Sequence, residues 1–317
     1  MRLAVLSVLL LGLCATAALP ARAEPLPAFT TPLLRDHPLV GKVWLPGPGR
    51  FASPDEVVAL ARAADAVLLG ETHDNADHHA LQAWMLGRLT APGRRPLVAL
   101  EMIDGGQEAA LRRHLDANPN DAAGLGAALD WDKSGWPAWT MYRPVAEAAL
   151  RAGAPLSPAN LTRAQVRAIA RGEDSSPLPA LPADQITLME NEIKTGHCGM
   201  LPDKAVAGMV RVQRSRDAVM AQALSRGLDG TDGAVLIAGA GHVRTDHGVP
   251  AVLAADRPQA KIFALAFLEA KQDETDPAAY GRLFDSPSLP FDAVWFTPRA
   301  EREDQCEAFR RHMEQKK

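Results

Sequence analysis

The chain has 317 residues, with 34 lysines and arginines against 38 aspartates and glutamates, a net charge of −4 and 47% apolar content. Such a chain can bury one large core or two smaller ones, which excludes a disordered or fibrous protein. Its acidic balance argues against nucleic acid as a partner.

Arg2, the apolar run Leu3 to Leu13 and the small-x-small step Ala21-Arg22-Ala23 read as a signal peptide over residues 1–23. Export to the periplasm follows. No later run approaches the roughly 20 apolar residues of a membrane span. Cys14 ends the apolar core, but Leu13 before it is not the small residue that lipidation wants, so a lipoprotein is the less favoured reading. Cleavage leaves 32 basic and 38 acidic residues, or −6, and two cysteines. Cys198 and Cys306 are an even count in a compartment that permits disulfides, and they are expected to pair.

Residues 24–50 are rich in proline and glycine and read as an extended lead-in over the surface of an α/β domain spanning 51–317. Ser53-Pro54 opens a helix. Ala66-Val67-Leu68-Leu69 is a buried parallel strand ending in Gly70-Glu71-Thr72-His73, and the following helix buries Leu81, Trp84, Met85 and Leu89. His78 and His79, like His114, His247 and His312, fall on expected helix or loop surfaces and take no role. Pro96 to Met102 is a second strand, and it delivers Glu101. Beyond it, residues 103–200 are mostly helical and read as a small inserted subdomain. That stretch holds Trp131, Trp136 and Trp139, followed by Tyr142, either as core or as the wall of a pocket for a flat ligand. Residues 155–157 are a short strand with Asn160 beyond it.

On the long helix from Asp203, Gln213, Arg216, Asp217 and Met220 share one face, either solvated or functional. The helix leads to Ala234-Val235-Leu236-Ile237-Ala238, which ends in Gly239-Ala240-Gly241-His242 and repeats the first strand's pattern. Further strands lie over 261–268 and 291–296. The expected fold is an open, mostly parallel sheet flanked by helices. At the carboxyl ends of such strands ligands bind, so Glu71, His73, Glu101 and His242 are expected to share one crevice. The alternative is that both Gly-x-x-His steps are only capped turns. Two imidazoles and a carboxylate, His73, His242 and Glu101, suit a divalent metal that activates water. In a hydrolase of an ester or peptide, Glu71, His73, Glu101 and His242 would be the catalytic set.

The ordered set Leu69 to Asn75 with His78-His79, Glu101-Met102, Trp139 to Tyr142, His197-Cys198-Gly199, Gln213 with Arg216-Asp217 and Met220-Ala221, and Gly239 to His242 with Gly248-Val249-Pro250 resembles the ChaN-like haem-binding proteins. These belong with the Tiki, TraB and erythromycin esterase proteins. The resemblance implies an exported protein of bacterial iron acquisition that holds haem between the subunits of a homodimer and serves an outer-membrane haem uptake system. It also implies a tyrosine on the haem iron. Of Tyr142 and Tyr280, Tyr142 is preferred because it follows the aromatic cluster. Trp139 would then lie against the porphyrin and Arg216 or Arg244 near a propionate, with Arg143 on the same rim, while His73 and His242 favour the phenolate. Many members are lipid-anchored, and the weak Cys14 signal departs from that.

Overall fold

The computed structural model describes residues 25–90, 93–174, 178 and 180–314; the expected signal segment and Cys14 lie outside them. Eight strands form one sheet: β1 (Val43–Leu45), β2 (Arg50–Ala52), β3 (Ala66–Glu71), β4 (Leu97–Asp104), β5 (Leu156–Asn160), β6 (Ala234–Gly239), β7 (Ile262–Glu269) and β8 (Ala293–Thr297). Their order across the sheet is β2-β1-β8-β7-β3-β6-β4-β5. The six strands from β8 to β5 run parallel, and β1 pairs antiparallel with both β8 and β2.

The continuous apolar runs of β3 and β6 place them at the middle of the sheet, where every residue of both is buried. Alternate side chains serve opposite faces. Val67 and Leu69 join one apolar cluster, with α1 (Pro54–Arg62), α2 (Ala76–Thr90) and α5 (Trp139–Arg151). Ala66 and Leu68 join the other, with α8 (Asp203–Gly230) and α9 (Val249–Asp256). Smaller helices complete the layers: α3 (Glu108–Ala117), α4 (Ala122–Ala128), α6 (Arg163–Arg171), α7 (Ala183–Gly196) and α10 (Gln305–Glu314). Local signals set several boundaries. Ser53 caps α1 with Pro54 at its first position, and Thr162 and Gln165 form a capping box on α6.

Two expectations about organisation gain detail. The lead-in does not merely lie over the surface, because β1 pairs with β8 and β2 folds back on β1. Without that hairpin β8 would end the parallel sheet with an open row of backbone donors and acceptors. Further upstream, Thr30 and Thr31 donate to the Asp77 carboxylate at the start of α2. The stretch 103–200, expected as an inserted helical subdomain, also contributes to the sheet domain. Within it β5 extends the sheet beside β4, α5 packs on α2 on one face, and α6 and α7 pack on α8 on the other. A helix-rich stretch reads as an insertion in sequence, yet its helices divide between the two layers that cover any parallel sheet.

Cys198 and Cys306 form a disulfide with a Cα separation of 5.7 Å, tying the turn between α7 and α8 to the C-terminal helix. It closes a loop of 108 residues, and the chain-entropy model assigns such loops about 4–5 kcal/mol, of which real bridges often give less. Reduction, or Cys306→Ser, should therefore lower the denaturant midpoint without altering the far-ultraviolet circular dichroism of the native state. Equal midpoints with and without reductant would show that the bridge contributes nothing.

Candidate functional site

The two repeated strands lie side by side and in register, with Leu69 opposite Ile237, Gly70 opposite Ala238 and Glu71 opposite Gly239. Their following turns therefore emerge at the same edge. The turn Ala240–Val243 is a short 3-10 helix that folds back over β3. Gly70 permits this, since a Cβ there would stand 3.0 Å from the Ala240 Cα and 3.1 Å from the Val243 Cβ. Gly239 does the same for His73, whose Nε2 lies 3.0 Å from where a Cβ would be. β4 is the other neighbour of β6 and brings Glu101 to the same place.

Two buried carboxylates organise this edge. Glu71 Oε1 lies 2.8 Å from His73 Nδ1 and accepts the Tyr142 hydroxyl at 2.9 Å, while Oε2 lies 3.0 Å from His79 Nδ1 in charge contact without hydrogen-bond alignment. Burial alone would raise Glu71, but the charge of His79 and the hydrogen bond from His73 outweigh it and hold the carboxyl well below its ordinary range. His79 also donates from Nε2 to the His73 carbonyl at 2.9 Å. Glu101 Oε2 accepts the Gly239 amide at 2.7 Å, and Oε1 faces His242 Nε2 at 3.5 Å. His242 Nδ1 meets Asp217 Oδ1 at 2.6 Å, and the Gln213 amide lies 3.1 Å from its Nε2. Burial opposes the charge on each partner, yet Glu101 and then Asp217 push His242 up to about 10, and His242 holds Glu101 at about 2. Asp217 is raised, by burial and by the Glu101 charge. The core of the site is thus a protonated imidazole between two acids.

The four expected residues do converge, and Gln213 and Asp217 join them. The other expected residues lie in the following surroundings. Tyr142 was expected on haem iron, but it is buried to 1% exposure and its hydroxyl is taken by Glu71. Burial and the Glu71 charge drive its ionisation upward, opposite to what a phenolate ligand needs. Tyr280 is equally buried, accepting the Lys271 amide and donating to the Glu274 carbonyl. Arg244 cannot form a rim: it is 0% exposed and paired with Glu192 and Asp246. Arg143 pairs with Glu147 on the exposed side of α5. Trp139 packs on Trp131 with centroids 4.7 Å apart and donates to the Ala122 carbonyl, so Trp131 is core and Trp139 is half-buried against it. The metal alternative on His73, His242 and Glu101 also loses support. Among the described residues no three such side chains are grouped to hold an ion.

Three histidines that looked superficial are buried. His78 accepts the Thr72 amide at Nδ1 and meets Thr297 Oγ1 at Nε2, and burial followed by the nearby His79 charge lowers it to about 3, so it is neutral. His79 belongs to the Glu71 cluster. His247 lies beside Glu192 and Gln185. His78 could have been found, because it stands three and seven residues before Leu81 and Met85 on the buried stripe of α2.

A cleft of about 490 Å³ opens beside Glu101. Met102, Leu129, Trp136, Leu161 and Val166 give it apolar walls, and Lys133, Arg163, Arg167 and Arg216 give it cations. Trp136 is the one tryptophan of the expected wall that reaches it, with its ring 4.8 Å from that of His73. The Arg216 Nε is buried without a hydrogen-bond partner.

The family model described as haem-binding uptake, Tiki superfamily, ChaN matches residues 57–253, more than half of the chain. The chain belongs to that family. ChaN of Campylobacter jejuni, solved with cofacial haem, is similar at 21% identity and a TM-score of 0.65, over 80% of this chain and 95% of that one. The type III effector HopBA1 matches at 16% identity and a TM-score of 0.43, over 77% of this chain and 92% of that one. A mutant of the erythromycin esterase EreC in its open conformation matches at 13% and 0.46, over 83% and 99%. No curated protein matches. The family's ligand can be tested against the residues present. An apolar plate with two carboxylates fits the walls, the cations and the unpartnered Arg216 donor of the cleft, while a tyrosinate ligand fits neither tyrosine.

The ion pair at the centre of the site makes stability depend on pH. His242 rises from 6.5 to about 10, so its contribution is complete below pH 6.5 and is lost as pH rises through 10. Glu101 falls from 4.5 to about 2, so its contribution is complete above pH 4.5 and is lost as pH falls through 2. Both are whole between these limits. His242→Gln should cost about 3–5 kcal/mol near neutrality, as breaking a buried pair does, and should flatten the alkaline decline in melting temperature between pH 7 and 10. An unchanged decline in the variant would remove His242 as its source.

Proposed function

We propose that this protein binds haem in the cleft at the carboxyl ends of β4 and β5, as an exported component of bacterial haem and iron uptake. The observation that carries this reading is the cleft's composition, five apolar side chains with four cations and three carboxylates, where the buried Arg216 Nε has no hydrogen-bond partner among the described residues. Family membership gives that composition its ligand class. Trp136 and the aliphatic walls would take the porphyrin face, and the cations its propionates. Bound haem would supply an iron centre for transport. His73 borders this region with its side chain 36% exposed and its Nδ1 side occupied by Glu71, which fixes the ring's orientation. A periplasmic location, a homodimer with haem between its subunits and an outer-membrane uptake partner complete the proposal. The Cys198–Cys306 disulfide supports an oxidising compartment.

Acid–base hydrolysis of an ester is the second reading, favoured by His73 standing part-exposed near the ionised Glu101.

Titration of the purified protein with hemin should give saturable binding with a shifted Soret band and quenched tryptophan emission. Trp136→Ala should weaken that binding by roughly tenfold, the scale of one aromatic contact. Binding that never saturates would defeat the haem reading. Tyr142→Phe should leave the Soret band and affinity unchanged while costing about 1.5–3 kcal/mol of stability, because it removes a hydrogen bond to a buried carboxylate. A Soret shift in that variant, with stability unaltered, would restore Tyr142 to the iron.

A further inference from the structure

The aromatic segment beside the cleft differs from ordinary core in what its N–H and O–H groups face. Trp131 opens the 3-10 turn Trp131–Lys133, and Asp130 and Lys133 on either side of it line the cleft. Its ring lies 4.7 Å from that of Trp139 and 5.3 Å from that of Tyr142, centroid to centroid, so the three rings are in contact. Both indole N–H groups are spent on backbone carbonyls, Trp131 on Pro137 and Trp139 on Ala122. A carbonyl accepts a hydrogen bond without taking the proton, whereas an ionised carboxylate can do both. Tyr142 alone of the three donates to a carboxylate, Glu71 Oε1 at 2.9 Å, and it is buried. Tyr280, the chain's other tyrosine, is as deeply buried but donates to the Glu274 carbonyl.

We propose that Tyr142 is a redox-active residue that takes up oxidising equivalents arising in the cleft, with Trp131 as the relay and Glu71 as the proton acceptor. A one-electron oxidant in the cleft gains one electron drawn through Trp131, and Tyr142 supplies it. The phenolic proton crosses the hydrogen bond to Glu71 Oε1, leaving a neutral phenoxyl beside a neutral carboxyl. An oxidised indole whose N–H faces a carbonyl keeps its proton and its positive charge, so the charge passes on to the tyrosine. Burial would raise Glu71, but the charge of His79 and the hydrogen bond from His73 keep it ionised and weakly basic. A phenol that has lost an electron is a far stronger acid than any carboxylic acid, so the proton still moves downhill. This goes beyond the haem reading and does not require it. Where that reading holds, an iron porphyrin met by peroxide is the class of oxidant, and the relay draws its oxidising equivalents away from Met102 and Trp136 in the walls.

The full chain, free of ligand, is oxidised with photogenerated tris(bipyridine)ruthenium(III), freeze-quenched and read by electron paramagnetic resonance. The unmodified protein should give a tyrosyl signal coupled to an exchangeable proton, and that coupling should vanish in deuterium oxide, because the transferred proton stays in the hydrogen bond. The signal should be lost in Tyr142→Phe and kept in Tyr280→Phe. With two tyrosines in the chain, the second variant leaves Tyr142 as the source, so the assignment stands even if the first variant does not fold. Glu71→Gln keeps an acceptor for the hydroxyl but none for its proton, so it should lower the radical yield while the melting transition shows the fold retained; if it does not fold, the exchangeable coupling in the unmodified protein decides. A tryptophan signal without a tyrosyl one, a tyrosyl signal that disappears with Tyr280, or an undiminished yield in folded Glu71→Gln would overturn the proposal. The oxidant is supplied from outside, so each of these outcomes stands whether or not hemin binds, and the hemin titration tests the haem reading separately.

Discussion

Two carboxylates buried near the carboxyl ends of β3 and β4, the strands on either side of β6, are the constraint to which the rest of the site answers. A carboxylate taken out of water is costly unless it gains charge and hydrogen bonds in return. Glu71 recruits His73, His79 and Tyr142, and Glu101 recruits the Gly239 amide and His242, with Asp217 behind the imidazole. These partners come from the turn after β3, α2, α5, α8, the end of β6 and the turn after it. Elements from both layers are thereby bound to one edge of the sheet, and the two glycine-bearing turns must approach each other closely for the groups to meet.

That edge is densely paired in its centre and less so at its side. The carboxylates and histidines of the cluster are mostly held by one another, which gives rigidity. The cleft beside it has the reverse balance, with apolar walls and guanidinium groups that, among the described residues, meet no carboxylate. The contrast favours a binding protein whose rigid floor orients an adjoining pocket. It also separates two roles that the aromatic segment suggested together. Trp131, Trp139 and Tyr142 hold α4 and α5 onto the sheet domain, and Trp136 alone turns to the cleft.

The buried arginine network beside α7 shows how similar residues part in function. Arg244 and Arg216 both looked available for a propionate. Arg244 lies in the loop after the second Gly-x-x-His, where Glu192 from α7 and Asp246 enclose it, and it pins α7 over the strand ends. Arg216, on the cleft side of α8, meets no such acid among the described residues.

Much of this was legible in the chain itself. Continuous apolar runs marked β3 and β6 as central strands, because only a strand covered on both faces has no polar alternation, and the repeated Gly-x-x-His marked the edge where Glu71, His73, Glu101 and His242 meet. The count of cysteines sufficed for Cys198 with Cys306. What tertiary structure alone decided were the properties that depend on who faces whom. Whether Tyr142 ionises rests on Glu71, 71 residues away, and whether Arg244 is free rests on Glu192, 52 residues away. The burial of His79 and the pairing of β1 with β8 likewise depend on packing between distant segments. Periodicity reports which face of an element is apolar, whereas charge state and availability are set by neighbours that no local spacing encodes.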